Sequence, residues 1–479
     1  MSAPPELRAA VAAARDLDGL RARLAAAPDA QRLAPLGLGQ VELSDAALDE
    51  LPAIVARLRG AADGPVAVLG DGVEIRRGAT ALKPYVAELL GARTDVSVVC
   101  AGDGGPGLVH ADEATLAAVR RDCEGASALV SVGSGTIADI GKATAAALAI
   151  PHAIVQTAAS VNGFADDRSV LLVHGVKRTV ETAWPDALVI DPVVLADAPV
   201  ALTQAGFGDL LATFTAPADW RLAQLVGQDD SYAPTVVALA REHGDTLLSI
   251  APAVGAGEPE ALAELAAILT LSGLSMGVAG RTAPGSGMEH TVSHLIEMRQ
   301  ATGAAPESLH GAKVAICSIF GALLWQRVLA RVRERGLDGL RFPDERELQP
   351  RVREAFGALD PSGATAEECW SDYRRKLARW QSSRAQLAGL GAAWAACERE
   401  LEELVADPAV LAGALRAAGA PLRLSQLGVD ADTARWALGA CHLMRDRFTI
   451  ADLAFLLGSW EADDVEAVIA AADALGAGL

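Results

Sequence analysis

What this 479-residue sequence has little of narrows its class. Aromatic residues make up only 4% of it, although 51% is hydrophobic. Ala, Leu, Val and Gly carry that apolar content, a mixture suited to close-packed helices and parallel strands. Basic residues are outnumbered, 41 Lys plus Arg against 61 Asp plus Glu, for a formal charge of −20. Phosphate-backbone recognition needs clustered Lys and Arg, so a nucleic-acid partner is not expected. A small anionic substrate is still compatible, because a few basic groups or a metal reverse the potential locally.

Paired cysteines are also missing. Cys100, Cys123, Cys317, Cys369, Cys397 and Cys441 are scattered with no CxxC spacing, and Cys100 and Cys317 lie in apolar runs. They read as reduced core thiols of a cytoplasmic protein. The apolar residues near the N-terminus are interrupted by Arg8, Arg15, Asp16 and Asp18, which leaves no signal-peptide core. No uncharged apolar run approaches the ~20 residues of a membrane helix, so no membrane insertion is expected.

Residues 1–60 show helical spacing and are expected to form a helical N-terminal extension. Short β-branched runs follow at Pro65 to Leu69, Val96 to Cys100, Ala128 to Val132, Ala153 to Gln156 and Val189 to Asp191. They alternate with helical stretches at Thr80 to Leu90 and Asp112 to Asp122, which predicts a parallel sheet flanked by helices over residues 61–197. GVKRTVETAW, Gly175 to Trp184, breaks that rhythm as a hairpin or a return strand. From Ala198 the β-runs stop, and residues 198–479 are expected to be all-helical, with connections near Gly336 to Pro350, Asp360 to Ala364 and Ala418 to Pro421.

Two loops and one cluster carry the chemistry. In SVGSGTIADIGK a strand ends near Val132, Gly133 and Gly135 turn the chain, and a helix starts near Thr136. Glycines admit a pyrophosphate close to the backbone, where helix N–H groups can bind it. The loop is not GxGxxG, and no acidic ribose-reading residue is evident. QTAASVNGFADD, Gln156 to Asp167, lies past the next strand, at the carboxyl edge where such sheets bind ligands. Asp209, in AGFGDLLATF, reads as entering a helix start. Three of the eight histidines fall between residues 290 and 310, with His290 and His294 one turn apart on one helix face. One Asp with two His leaves open positions on a divalent metal for a substrate oxygen. The remaining histidines show no such grouping and read as packing or surface residues.

The segments VGSGTIADIGK, QTAASVNGFA, GVKRTV, AGFGDLLA, ADWRLA, SGMEHTVSHLIEM, LHGAKVAI and MRDRFTIADLAFLLG occur in this order between about residues 60 and 460. Together they resemble the sn-glycerol-1-phosphate dehydrogenase family, a branch of the iron-containing alcohol dehydrogenase and dehydroquinate synthase-like superfamily. The resemblance implies an α/β nucleotide-binding domain followed by a helical domain, with the active site in the cleft between them. It implies NAD or NADP on Gly133, Ser134, Gly135, Thr136 and Ile137, with Thr157 and Ser160 toward the nicotinamide and Asp166 at a cofactor-contacting position. Asp209, His290 and His310 match the ligands of one divalent metal (zinc, iron or nickel). Asn162, Asp209 and His294 match substrate-facing positions; His294 and Lys177, a basic residue kept near the site, are the catalytic residues the resemblance implies. The family reaction reduces dihydroxyacetone phosphate to sn-glycerol 1-phosphate, and dimers are common in it.

Three positions depart from the family pattern. Asn162 stands where an Asp is usual, Asp166 where a Ser is usual, and Thr213 where a Lys is common. Asn cannot act as a base, and an added carboxylate beside a pyrophosphate would be repulsive. The expected substrate is therefore dihydroxyacetone phosphate or a related ketose or polyol phosphate. A sugar-phosphate cyclase using NAD transiently, or a repurposed non-catalytic homologue, are the alternatives.

Overall fold

The β-branched runs assemble into a six-stranded, all-parallel sheet in a computed structural model. It describes residues 9–105, 107, 109–173, 176–304, 306–337 and 339–479, excluding the side chains at 173, 176, 177, 304, 388, 392 and 393. The strands are β1 (Gln40–Leu43), β2 (Val66–Gly70), the short β3 (Arg76–Arg77) and β4 (Thr80–Ala81), and β5 (Val96–Cys100). They continue as β6 (Ala128–Gly133), β7 (His152–Gln156), β8 (Arg168–Val173), β9 (Val176–Glu181) and β10 (Ala187–Ile190). The sheet order is β1-β10-β7-β6-β2-β5, while β3–β4 and β8–β9 are separate antiparallel pairs. Within GVKRTVETAW, β9 is thus the antiparallel partner of β8.

Central strands β2, β6, β7 and β10 are buried along their whole length. A parallel sheet covered on both faces buries every residue of a strand, so its strands read as continuous apolar runs. Val68, Val130, Val155 and Val189 point into one core with Leu51, Ile54 and Val86. Leu69, Leu129, Ile137 and Ile140 fill the other. Such side chains each contribute about 1.5–3 kcal/mol on full burial.

Packing divides the chain into two units, Met1–Phe207 with Asp245–Arg281, and Gly208–Gly244 with Thr282–Leu479. The expected boundaries at 60 and 197 therefore need correcting. Residues 1–60 are not a purely helical extension, because β1 is an edge of the sheet, parallel to β10. Its QVEL sequence buries alternate residues only, and two polar side chains in four mask the strand. The second change is the helix Pro259–Ala279, apolar on all sides, which packs in the first unit against the Ala9–Arg15 helix. Gly273 and Gly277 let other parts of this unit approach the helix closely: an added Cβ would lie 2.3 Å from the Asn162 carbonyl oxygen and 2.0 Å from the Trp184 ring, respectively.

In the second unit the long helix His310–Arg335 packs against Met288–Arg299, Pro408–Ala417, Ile450–Leu456 and Ala462–Ala474. The expected connection up to Pro350 is shorter, since the Glu345–Gly357 helix starts inside it behind an Asp344 cap. Pro259–Ala279 and His310–Arg335 are long and apolar enough to cross a membrane, but 100% and 83% of their most apolar windows are buried inside the protein. All six cysteines are free thiols. Cys100, expected in the core, is exposed because β5 is the other sheet edge; Val98 beside it is 74% exposed.

Candidate metal centre and dinucleotide loop

Starting from β2, the chain places β5 on one side and β6 on the other, so strand order reverses between β2 and β6. Crevices beyond the carboxyl ends of strands at such a reversal are where open α/β sheets hold ligands. There β6 ends at Gly133 and the helix Gly135–Leu148 begins. A Cβ on Gly133 would sit 2.5 Å from that of Ile137, so only glycine permits this turn. Ser134, in the capping position, makes no side-chain cap bond. Its hydroxyl instead pairs with Ser160 at 2.9 Å. The Thr157 N–H donates to the Gly133 carbonyl at 3.2 Å, so the two loops expected to share a cofactor lie together. First-turn N–H groups lack intrahelical partners and carry the positive end of the dipole, a fit for a pyrophosphate. Thr136 is exposed there, whereas the Ile137 side chain is core and could offer a ligand only its N–H.

Asp166 does not behave as expected. Its carboxylate is buried and ion-paired to Lys142 Nζ at 2.7 Å, and it also accepts from the Arg168 N–H. The charge is neutralised inside the protein, so the anticipated repulsion toward a phosphate does not arise. Lys142, fully buried, also donates to the carbonyls of Gly163 and Arg168 and ties the second loop down. Sequence reasoning missed it because a Lys seven residues into a helix normally reads as solvated. The Asn162 amide donates to Ser272 Oγ at 3.2 Å. Thr213 is buried, its hydroxyl bonded to the Leu210 carbonyl at 2.7 Å. Lys177 lies opposite Leu172 in the β8–β9 hairpin, and its side chain is outside the described residues.

The histidines converge in the second unit. Asp209 is the penultimate residue of the Val200–Leu210 helix, not at a helix start as expected. A carboxylate in a last turn gains nothing from the helix dipole and needs a cation nearby instead. Gly208 explains the glycine-rich approach: a Cβ there would fall 2.6 Å from the Gly311 carbonyl oxygen. The close contact sets Asp209 beside His310, the first residue of its helix. His290 Nε2 lies 3.4 Å and His310 Nε2 3.8 Å from the same Oδ1 of Asp209. Tetrahedral ligands about 2.1 Å from an ion stand roughly 3.4 Å from one another, so the three groups fit a shared divalent metal.

Each histidine is held from behind. His290 Nδ1 pairs with Glu289 Oε1 at 3.1 Å, and His310 Nδ1 with Glu297 Oε1 at 2.7 Å. Such outer carboxylates fix the tautomer and turn Nε2 toward the metal. Burial by itself depresses His290, but hydrogen bonds and charge from Asp209 and Glu289 outweigh it and raise the group to about 9. The site attracts positive charge. His310 is lowered by burial, with Glu297 partly offsetting it. His294 is lowered further, by burial and then by the Arg445 charge. Its ring stacks on His310, centroids 5.2 Å apart, and its buried Nδ1 has no hydrogen-bond partner among the described residues. His294, Glu297 and His310 form a second possible metal grouping, but it shares His310 and its Glu297 already bonds that ring.

A glycerol-1-phosphate dehydrogenase of Bacillus licheniformis is 30% identical over 417 residues, covering 87% of this chain and 88% of the relative. The chain belongs to the glycerol-1-phosphate dehydrogenase family. The corresponding Bacillus subtilis enzyme is 29% identical over 72% of this chain. Residues 45–199 also match the model of the iron-containing alcohol dehydrogenases. Membership in the glycerol-1-phosphate dehydrogenase family makes the chain an NAD(P)-linked, metal-dependent oxidoreductase. Among solved structures, a probable glycerol dehydrogenase from Sinorhizobium meliloti shares the fold at TM-score 0.56 and 19% identity, covering 91% of this chain and 98% of that one. The glycerol dehydrogenase of Schizosaccharomyces pombe does so at 0.56 and 16%, covering 92% and 91%.

Proposed function

We propose that this enzyme reduces dihydroxyacetone phosphate, or a closely related ketose phosphate, with NADH or NADPH. The observation that carries the reading is the Asp209, His290 and His310 cluster with a carboxylate behind each imidazole. In this reading those three residues hold one divalent ion, with zinc, iron and nickel all compatible with the donor set. The ion supplies a Lewis acid for charge developing on the substrate oxygen. His294, one turn beyond His290, hydrogen-bonds that oxygen. The N–H groups of residues 133–137 bind the cofactor pyrophosphate, while Thr157 and Ser160 face its nicotinamide end. Six free thiols suit a reducing cytoplasm. A homodimer is the assembly this reading adopts from the family.

Asn162 and Thr213 favour testing related substrates as well, since neither supplies the charge usual at its position. The test loads purified protein with zinc, iron or nickel and follows nicotinamide absorbance with dihydroxyacetone phosphate and other ketose phosphates. Metal-dependent loss of NADH or NADPH with formation of sn-glycerol 1-phosphate or its analogue is expected. Product without net nicotinamide loss would point to a cyclase, and no cofactor binding by calorimetry would sink both enzymatic readings.

A further inference from the structure

We propose that Asp219 positions His290 by tying the start of its helix to the C-terminal segment 447–452, which thereby braces the metal site. The proposal rests on the metal reading above. Asp219 lies in the Ala216–Leu225 helix and is 2% exposed. Its Oδ2 accepts the Met288 N–H at 2.8 Å, and its Oδ1 accepts the Ile450 N–H at 2.9 Å. Met288 opens the helix that carries His290, and Ile450 opens the Ile450–Leu456 helix. One carboxyl group therefore caps two helix N-termini, whose first-turn N–H groups lack intrahelical partners. Gly287 makes room for it, because a Cβ there would stand 2.6 Å from Asp219 Oδ2.

The rest of the segment is anchored around the same point. Arg447 donates to the Ser286 hydroxyl at 2.8 Å and the Thr282 hydroxyl at 2.7 Å, just ahead of the His290 helix. Lys376, fully buried, joins Asp452 Oδ1 at 2.6 Å to the Arg447 carbonyl at 3.1 Å. Asp452 in turn accepts the Thr449 N–H at 2.8 Å and caps the second helix. On the near side, Thr215 donates to Glu289 Oε2 at 3.0 Å, and Glu289 holds His290 Nδ1. None of these groups is among the Asp209, His290 and His310 ligand set, so they are positioning residues. Ligand geometry tolerates only about 0.5 Å of drift, and losing an outer partner typically weakens metal binding about 10–100-fold.

The experiment strips metal from the full-length protein and measures Zn²⁺ affinity against a chromophoric chelator. Asp219→Asn keeps the shape but offers one acceptor where two N–H groups need two. Ile450→Pro leaves Asp219 untouched and deletes one donor. Proline is tolerated at a first helical position, and Thr449 before it already has the extended backbone required (φ −134°, ψ 178°). Leu453→Ala, in the same helix, is the control for lost stability alone. Both test variants are expected to lose about tenfold or more in Zn²⁺ affinity, while the control melts lower yet binds as wild type does. Wild-type affinity in either folded test variant, or an equal loss in the control, overturns the proposal. Failure of the wild-type protein to bind Zn²⁺ would count against the metal reading instead.

Discussion

At the scale of single residues, the unusual feature is how many charges are buried in pairs. Lys142 with Asp166 and Lys376 with Asp452 are nearly or fully sealed from solvent, at 2.7 and 2.6 Å. Removing one partner leaves an uncompensated buried charge, which costs about 3–5 kcal/mol, whereas replacing both by apolar groups costs far less. Lys142→Met should therefore lower the melting temperature strongly, and adding Asp166→Leu should recover part of the loss, since the Gly163 and Arg168 carbonyls still lack the Lys142 donor. A double variant as unstable as the single one would refute the pairing. The residues of the candidate site were partly legible in the sequence, because His290, His294 and His310 cluster and Asp209 follows two glycines. Glu289, Glu297 and Asp219 were not. A carboxylate on a helix ordinarily reads as a solvated charge, and only the fold shows that these face an imidazole or a helix start.

At the scale of elements, the turn from β6 into the Gly135–Leu148 helix has no room for one added carbon at Gly133. Gly133→Ala pushes a methyl against Ile137 and should weaken NAD(P)H binding by an order of magnitude or more. Calorimetry checks this, with Zn²⁺ affinity expected to remain at the wild-type level. The central strands were legible because burial on both faces leaves uninterrupted apolar runs. Edge strand β1 was hidden by Gln40 and Glu42, and the exposure of Cys100 by the same edge effect on β5. Asp209 was placed at the wrong end of its helix, because glycines 206 and 208 look like a break. They are instead helical positions where another backbone approaches closely.

At the scale of the whole molecule, acid sensitivity follows from two buried histidines. Burial, then Lys142, pulls His152 down to about 3; burial, then Lys376, does the same to His442. In the unfolded chain each titrates near about 6.5. Between these values the unfolded state binds more protons, so their stabilising contribution is complete above about pH 6.5 and is lost as pH falls toward 3. His442→Phe cannot take up that proton, so its stability should depend less steeply on pH across this window by one proton. Parallel unfolding curves for variant and wild type would contradict the shift.

In the proposed site, Asp209, His290 and His310 together hold the metal on which catalysis depends. Elemental analysis of wild-type protein, His290→Ala and His310→Ala, purified identically after loading with the same metal, tests it most directly. About one equivalent is expected in the wild type and almost none in either variant. Full metal content in a folded His290→Ala or His310→Ala protein would contradict it.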